Sequence, residues 1–139
     1  MIRATPEAVF DAFVDAETMS RFWFTRRDHG LSEGQTVYWY IGEDDDAYGI
    51  EVRIKELTRP NKIQLEWGEG EQFTEVSWLI EPSNEGASKL FIEESGFSGS
   101  DEEVTAAALD STKGFNQLVI ALKALLEHDA RINIVADHA

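Results

Sequence analysis

"DEEVTAAALDSTKGFNQLVIALKALLEH", residues 101–128, is the stretch whose reading decides the fold. Asp101 is placed to cap a helix, and Glu102 and Glu103 suit the positive end of its dipole. Val104, Ala108, Thr112, Phe115, Leu118, Val119, Leu122, Leu125 and Leu126 share one broad face at helical spacing. A helix of about 28 residues is roughly 42 Å long, enough to cross a whole small sheet. What its apolar face covers must come from the residues before it.

Those residues change period. Val37, Trp39 and Ile41 alternate with Tyr38 and Tyr40, and Ile50, Val52 and Ile54 with Glu51, Arg53 and Lys55. Ile63, Leu65 and Trp67 alternate with Lys62, Gln64 and Glu66. Thr74, Val76, Trp78 and Ile80 alternate with Glu75, Ser77 and Leu79, and Leu90 and Ile92 with Phe91 and Glu93. Period two with one apolar phase predicts half-buried strands. The turn signals "GEDDDAYG", "RPNK", "GEGEQ" and "PSNEGAS" separate them. Five strands in series predict an antiparallel meander with one wet face. Upstream, Thr5-Pro6-Glu7 reads as a helix start leading to Val9, Phe10 and Phe13. Asp15 can cap a second helix from residue 16 to about 22, with Met19, Phe22 and Trp23 turned inward. Arg26 and Arg27 then begin a loop, and the tail "RINIVADHA" reads as a short docked strand or a frayed end. The whole is an α+β layer arrangement.

Composition sets the outer limits. At 139 residues, 42% hydrophobic and 11% aromatic, the chain can build a core and reads as one domain, residues 1–139. Twelve Lys and Arg stand against 27 Asp and Glu, a formal charge of −15. That field repels nucleic acid and anionic membranes. No apolar run reaches the roughly 18 residues of a membrane helix, and no signal peptide is visible. The chain has no cysteine, which excludes disulfides and thiolate metal sites and fits a cytoplasmic location.

The ordered set "ATPEAVFDAFVDAETMSRFWF", "IKELTRPNKIQLEW", "TEVSWLIEP", "KLFIEESGF" and "GFNQLVIALKALLEH" resembles the START-like, or SRPBCC, superfamily. Within it the chain is most similar to the family named for the activator of the heat-shock-protein-90 ATPase. The resemblance spans about residues 2–130 and implies a helix-grip fold, a curved antiparallel sheet around the long C-terminal helix with a cavity between them. Three departures stand out. The first strand is reduced to Met1, Ile2 and Arg3; the family's Gly-Trp pair is Gly114-Phe115; and a position often held by His is Glu94. The strand stub and the apolar tail could support a homodimer by edge pairing or tail exchange.

Trp39, Trp67 and Trp78 share the apolar phase of their strands, and Phe115 the inner face of the helix. Trp23 and Phe24 sit at the mouth in the family's layout. These six either line a pocket or fill the core. Glu94 continues the inward phase of Leu90 and Ile92 unless the strand ends at Glu93. A partly desolvated carboxylate there suits a ligand-orienting group or a general base. Arg26 can face the entrance and hold a carboxylated aromatic ligand, or pair with the acidic tip at Glu43, Asp44, Asp45 and Asp46. That tip lacks an EF-hand register, His29, His128 and His138 lack metal-ligand spacing, and no phosphate loop or serine elbow is present. No metal and no cofactor are expected.

The expected function is binding of a small hydrophobic or aromatic molecule. One alternative is an enzyme of polyketide cyclase type using Glu94, Tyr38 or Tyr48, and Arg26. Another, implied by the family name alone, is a chaperone-associated ATPase activator.

Overall fold

The computed structural model describes residues 1–27, 30–42 and 44–137. The chain opens with α1 (Pro6–Val14) and α2 (Ala16–Met19). Strands β1 (Arg26–Arg27), β2 (Thr36–Ile41), β3 (Tyr48–Thr58), β4 (Lys62–Glu69), β5 (Gln72–Pro82) and β6 (Ser88–Ser95) follow. The long helix α3 (Asp101–His128) and a short α4 (Ile134–Asp137) complete it. The strands form one antiparallel sheet in the order β1-β2-β3-β4-β5-β6. The helix-grip arrangement is therefore present, with six strands among the described residues rather than five.

Side chains explain each boundary. The Thr5 hydroxyl accepts from Ala8 N at 3.2 Å and starts α1 with Pro6 in its first turn. Asp15 ends α1 and caps α2 through Thr18 N. The second helix stops at Met19, earlier than expected, in a turn that swings Phe22, Trp23 and Phe24 inward. Ser100, not Asp101, caps α3, accepting from Glu103 N. Asp129 in the left-handed region closes it, with Ala130 N bonded to Ala124 O. At the other end of the chain Ile2 is buried and bridges to Ser88 on β6, so the first-strand stub does pair with the sheet.

The core lies between the inner sheet face and the C-terminal half of α3. Val37, Trp39, Val52, Ile54, Ile63, Leu65, Val76, Trp78 and Ile80 face Leu118, Ala121, Leu122 and Leu125. The N-terminal half of α3 behaves differently from its pattern. Val104 and Ala108 are only half-buried and lie outside the core cluster, Thr112 is exposed, and Leu109 is 66% exposed. Close packing starts at Phe115. Two sequence expectations are corrected. Arg26 and Arg27 form β1 rather than a loop, paired with Tyr40 and Trp39. The tail forms α4 rather than a strand, and its Val135 packs on the core. Asp28, His29, Glu43 and His138 lie outside the described residues.

Two pairs of measurements check this packing. Leu122→Ala should cost about 2–5 kcal/mol in urea unfolding, while Ile120→Ala, two residues away and exposed, should stay within about 0.5 kcal/mol. Arg59 ties α1 to the β3–β4 turn through two hydrogen bonds to Asp11, and they hold the Asp11 carboxyl below its ordinary pKa. Both partners are more than half exposed, so Asp11→Asn should cost at most about 1 kcal/mol at pH 7. A lowered carboxylate pKa stabilises above the unfolded value of 3.8. The difference from the native chain should therefore vanish as pH falls through the folded value.

Candidate functional site

The inward turn after α2 delivers Trp23 into the space between sheet and helix. Its ring meets those of Phe24 at 4.7 Å, Trp39 at 5.6 Å, Trp67 at 5.7 Å, Trp78 at 5.9 Å and Phe13 at 6.3 Å. Trp67 in turn stacks on Phe115 of α3 with centroids 5.8 Å apart and planes 6° apart. Trp23 and Phe24 are buried at 8% and 5% exposure, so they sit within the core and not at its mouth. The predicted aromatic set thus converges, and it packs ring against ring.

Glu94 is inward. β6 runs on to Ser95, and Glu94 pairs with Val76. Its Oε2 accepts from Trp67 Nε1 at 2.9 Å and from the Thr74 hydroxyl. Its Oε1 is buried and has no partner among the described residues. One carboxylate oxygen is therefore fixed by two donors while the other carries an unmet acceptor, a costly arrangement unless something donates to it.

The two arginines have separate employments. Arg26 is exposed, with its guanidinium 4.4 Å from the Tyr40 ring centroid. Tyr40 in turn lies across Gly49, where a β-carbon would come within 2.6 Å of the ring. Arg27 is buried and donates to Phe13 O and Val14 O, the carbonyls at the end of α1. Desolvation lowers its pKa to about 10, opposed by the nearby Asp15 carboxylate, so the cation persists at neutral pH. Neither arginine pairs with the described acidic residues of the β2–β3 turn.

The open space lies beside this core. A cleft of about 820 Å³ separates the β2–β3 turn from one flank of α3. The sheet side contributes Thr25, Ile41, Gly42, Asp44, Asp46, Ala47 and Tyr48. The helix side contributes Asp110, Lys113, Gly114 and Gln117, and α4 closes the end with Val135 and Ala136. Positions 110, 113, 114 and 117 make a second stripe on α3, at i, i+3, i+4 and i+7. Partial desolvation and the Glu69 carboxylate push the Tyr48 phenol above its ordinary pKa, so its hydroxyl stays protonated at neutral pH. Trp23, Phe24, Arg26, Trp39, Trp67, Trp78, Glu94 and Phe115 are absent from the described lining. Sequence reasoning missed most of the cleft because its stripe is small and polar rather than apolar. Among the described residues no three His, Asp or Glu side chains converge as metal ligands, and no helix is long and apolar enough to cross a membrane.

Known proteins share this architecture. A family model described as Activator of Hsp90 ATPase homolog 1-like protein matches residues 3–127. A protein of known structure from Staphylococcus saprophyticus is 26% identical, with a TM-score of 0.78 over 96% of this chain and 91% of that one. The Aha1 dimer from Colwellia psychrerythraea is 18% identical, with a TM-score of 0.71 over 91% of each chain. A protein of the dynemicin biosynthetic locus is 16% identical, with a TM-score of 0.77 over 94% of this chain and 46% of that one. This chain spans about half the length of that last protein. The curated proteins gave no match.

The Glu94 node is open to a spectroscopic check. In Glu94→Ala the Trp67 indole proton loses its acceptor and should shift upfield in a nitrogen–proton correlation spectrum. The Trp39 and Trp78 indole protons, which have no partner among the described residues, should move little.

Proposed function

The chain belongs to the activator of Hsp90 ATPase homolog 1-like family, and from that premise we propose that it binds a small hydrophobic or aromatic molecule between its sheet and its long helix. The observation that carries this reading is the cleft of about 820 Å³ between the β2–β3 turn and α3, a size suited to a small organic ligand. Ile41, Ala47, Val135 and Ala136 give it an apolar floor, and Thr25, Tyr48 and Gln117 place hydrogen-bonding groups around it. In this reading residues 1–139 form one START-like domain. Trp67 stacks on Phe115 of α3 beside the cleft, Glu94 holds the Trp67 indole, and Trp23, Phe24, Trp39 and Trp78 brace that pair from within the core. Arg26 stands outside the ligand's reach, over Tyr40.

Gly114 supports the reading. It sits inside α3, where glycine destabilises a helix by about 1 kcal/mol relative to alanine. A β-carbon there would meet nothing within 4 Å. Packing therefore does not demand glycine, whereas an occupant of the cleft would use the room.

A second reading rests on Glu94 alone. A carboxylate with one oxygen held by Trp67 and Thr74 and the other buried without a partner among the described residues has an acceptor to spare for a proton, which suits an enzyme of polyketide cyclase type. Turnover of a polyketide-like substrate that survives in Glu94→Gln would remove this reading.

The binding reading is checked with a neutral aromatic probe, 2-naphthalenemethanol, followed by thermal shift and by amide shifts of Ala47, Gly114 and Gln117. Saturable binding is expected. Gly114→Leu should project a side chain into the cleft, weaken binding and raise stability by up to about 1 kcal/mol. No saturation at millimolar probe, or full binding in Gly114→Leu, would overturn the reading.

A further inference from the structure

The rim of the cleft carries a charge pattern that bears on its occupant. Asp44 and Asp46 stand on the turn side and Asp110 on the helix side. Among the described residues none of the three has an ion-pair partner. Some carboxylates elsewhere do pair with cations, as Asp11 does with Arg59, Glu127 with Lys123 and Arg3, and Glu66 with Arg53 and Lys55. The cleft has a single cation, Lys113, against three carboxylates. The chain's net charge of −15 adds a field of the same sign. Tyr48, 57% exposed, offers a ring face that attracts a cation. The guanidinium groups that could receive a carboxylate are engaged elsewhere, Arg26 on Tyr40 and Arg27 on the end of α1.

The geometry points to a cationic amphiphile: the cleft takes a molecule with an apolar ring or chain on Ile41, Ala47 and Val135 and a protonated amine between the turn and helix carboxylates. This rests on the binding reading above and reverses the carboxylated ligand that the arginine-rich sequence around Arg26 suggests. The two-sided placement matters. Carboxylates on one loop would only attract counterions, whereas here Asp110 lines the cleft from α3 and Asp44 and Asp46 line it from the turn.

Three probes with one naphthalene ring separate charge from shape: 2-(aminomethyl)naphthalene, 2-naphthalenemethanol and 2-naphthoate. At pH 7 and low salt the amine should bind roughly tenfold more tightly than the alcohol, as one cation beside a net excess of carboxylates in a wet cleft implies. The carboxylate should bind most weakly. The amine's advantage should shrink at high salt and disappear in the triple variant Asp44→Asn, Asp46→Asn, Asp110→Asn, in which amine and alcohol should bind alike. These residues lack partners, so the variant should keep its melting temperature. Equal binding of amine and alcohol, a preference for the carboxylate, or an amine preference that persists in the triple variant overturns the charge assignment alone. If no probe shows binding that Gly114→Leu weakens, the cleft reading falls with it.

Discussion

Edge-to-face packing of Trp23 against the indoles of Trp39, Trp67 and Trp78 is the contact on which the rest of the molecule depends. A curved sheet and a straight helix leave a gap that aliphatic side chains of either layer fill poorly. Here the gap is filled from a third source, the turn after α2, which inserts Trp23 and Phe24. Rings meeting edge to face gain quadrupole attraction as well as buried area. Filling the centre in this way moves the unfilled volume to the flank of α3. It also leaves the N-terminal half of the helix, from Asp101 to Gly114, with little to cover.

The same turn must be fixed in direction, and Arg27 does this. Its guanidinium, held between the last carbonyls of α1 and the Trp39 ring, joins helix end, edge strand and aromatic cluster in one contact. A buried cation is tolerated there because the carbonyls at a helix C-terminus carry partial negative charge. Removing that cation would strand those carbonyls, so the cost of losing it exceeds the worth of a surface pair.

Much of this was legible in the sequence. The sheet was, because strands with one wet face must alternate, as Ile63, Leu65 and Trp67 do with Lys62, Gln64 and Glu66. The same count offered an inward Glu94 but could not say whether the strand ran past Glu93; β6 runs on to Ser95. The two-residue β1 was not legible, since a period of two cannot show itself in two residues. The N-terminal half of α3 misled in the opposite sense: Val104 and Ala108 carry helical periodicity, yet periodicity says which side is apolar, not whether a partner reaches it. The cleft was invisible for a third reason. Ile41 comes from β2, Tyr48 from β3, and Asp110 and Gly114 from α3, and only the tertiary fold gives them a common space.

The indole cluster also makes the protein a collective chromophore. Trp23, Trp39, Trp67 and Trp78 lie within 6.4 Å of one another along a connected chain of contacts. At such separations excitation passes between rings faster than it is emitted. Ultraviolet emission therefore reports the ring in the lowest-energy environment, whichever ring absorbed. Trp67, which touches both the Glu94 carboxylate and the α3 ring Phe115, can then act as the common drain for light gathered throughout the core.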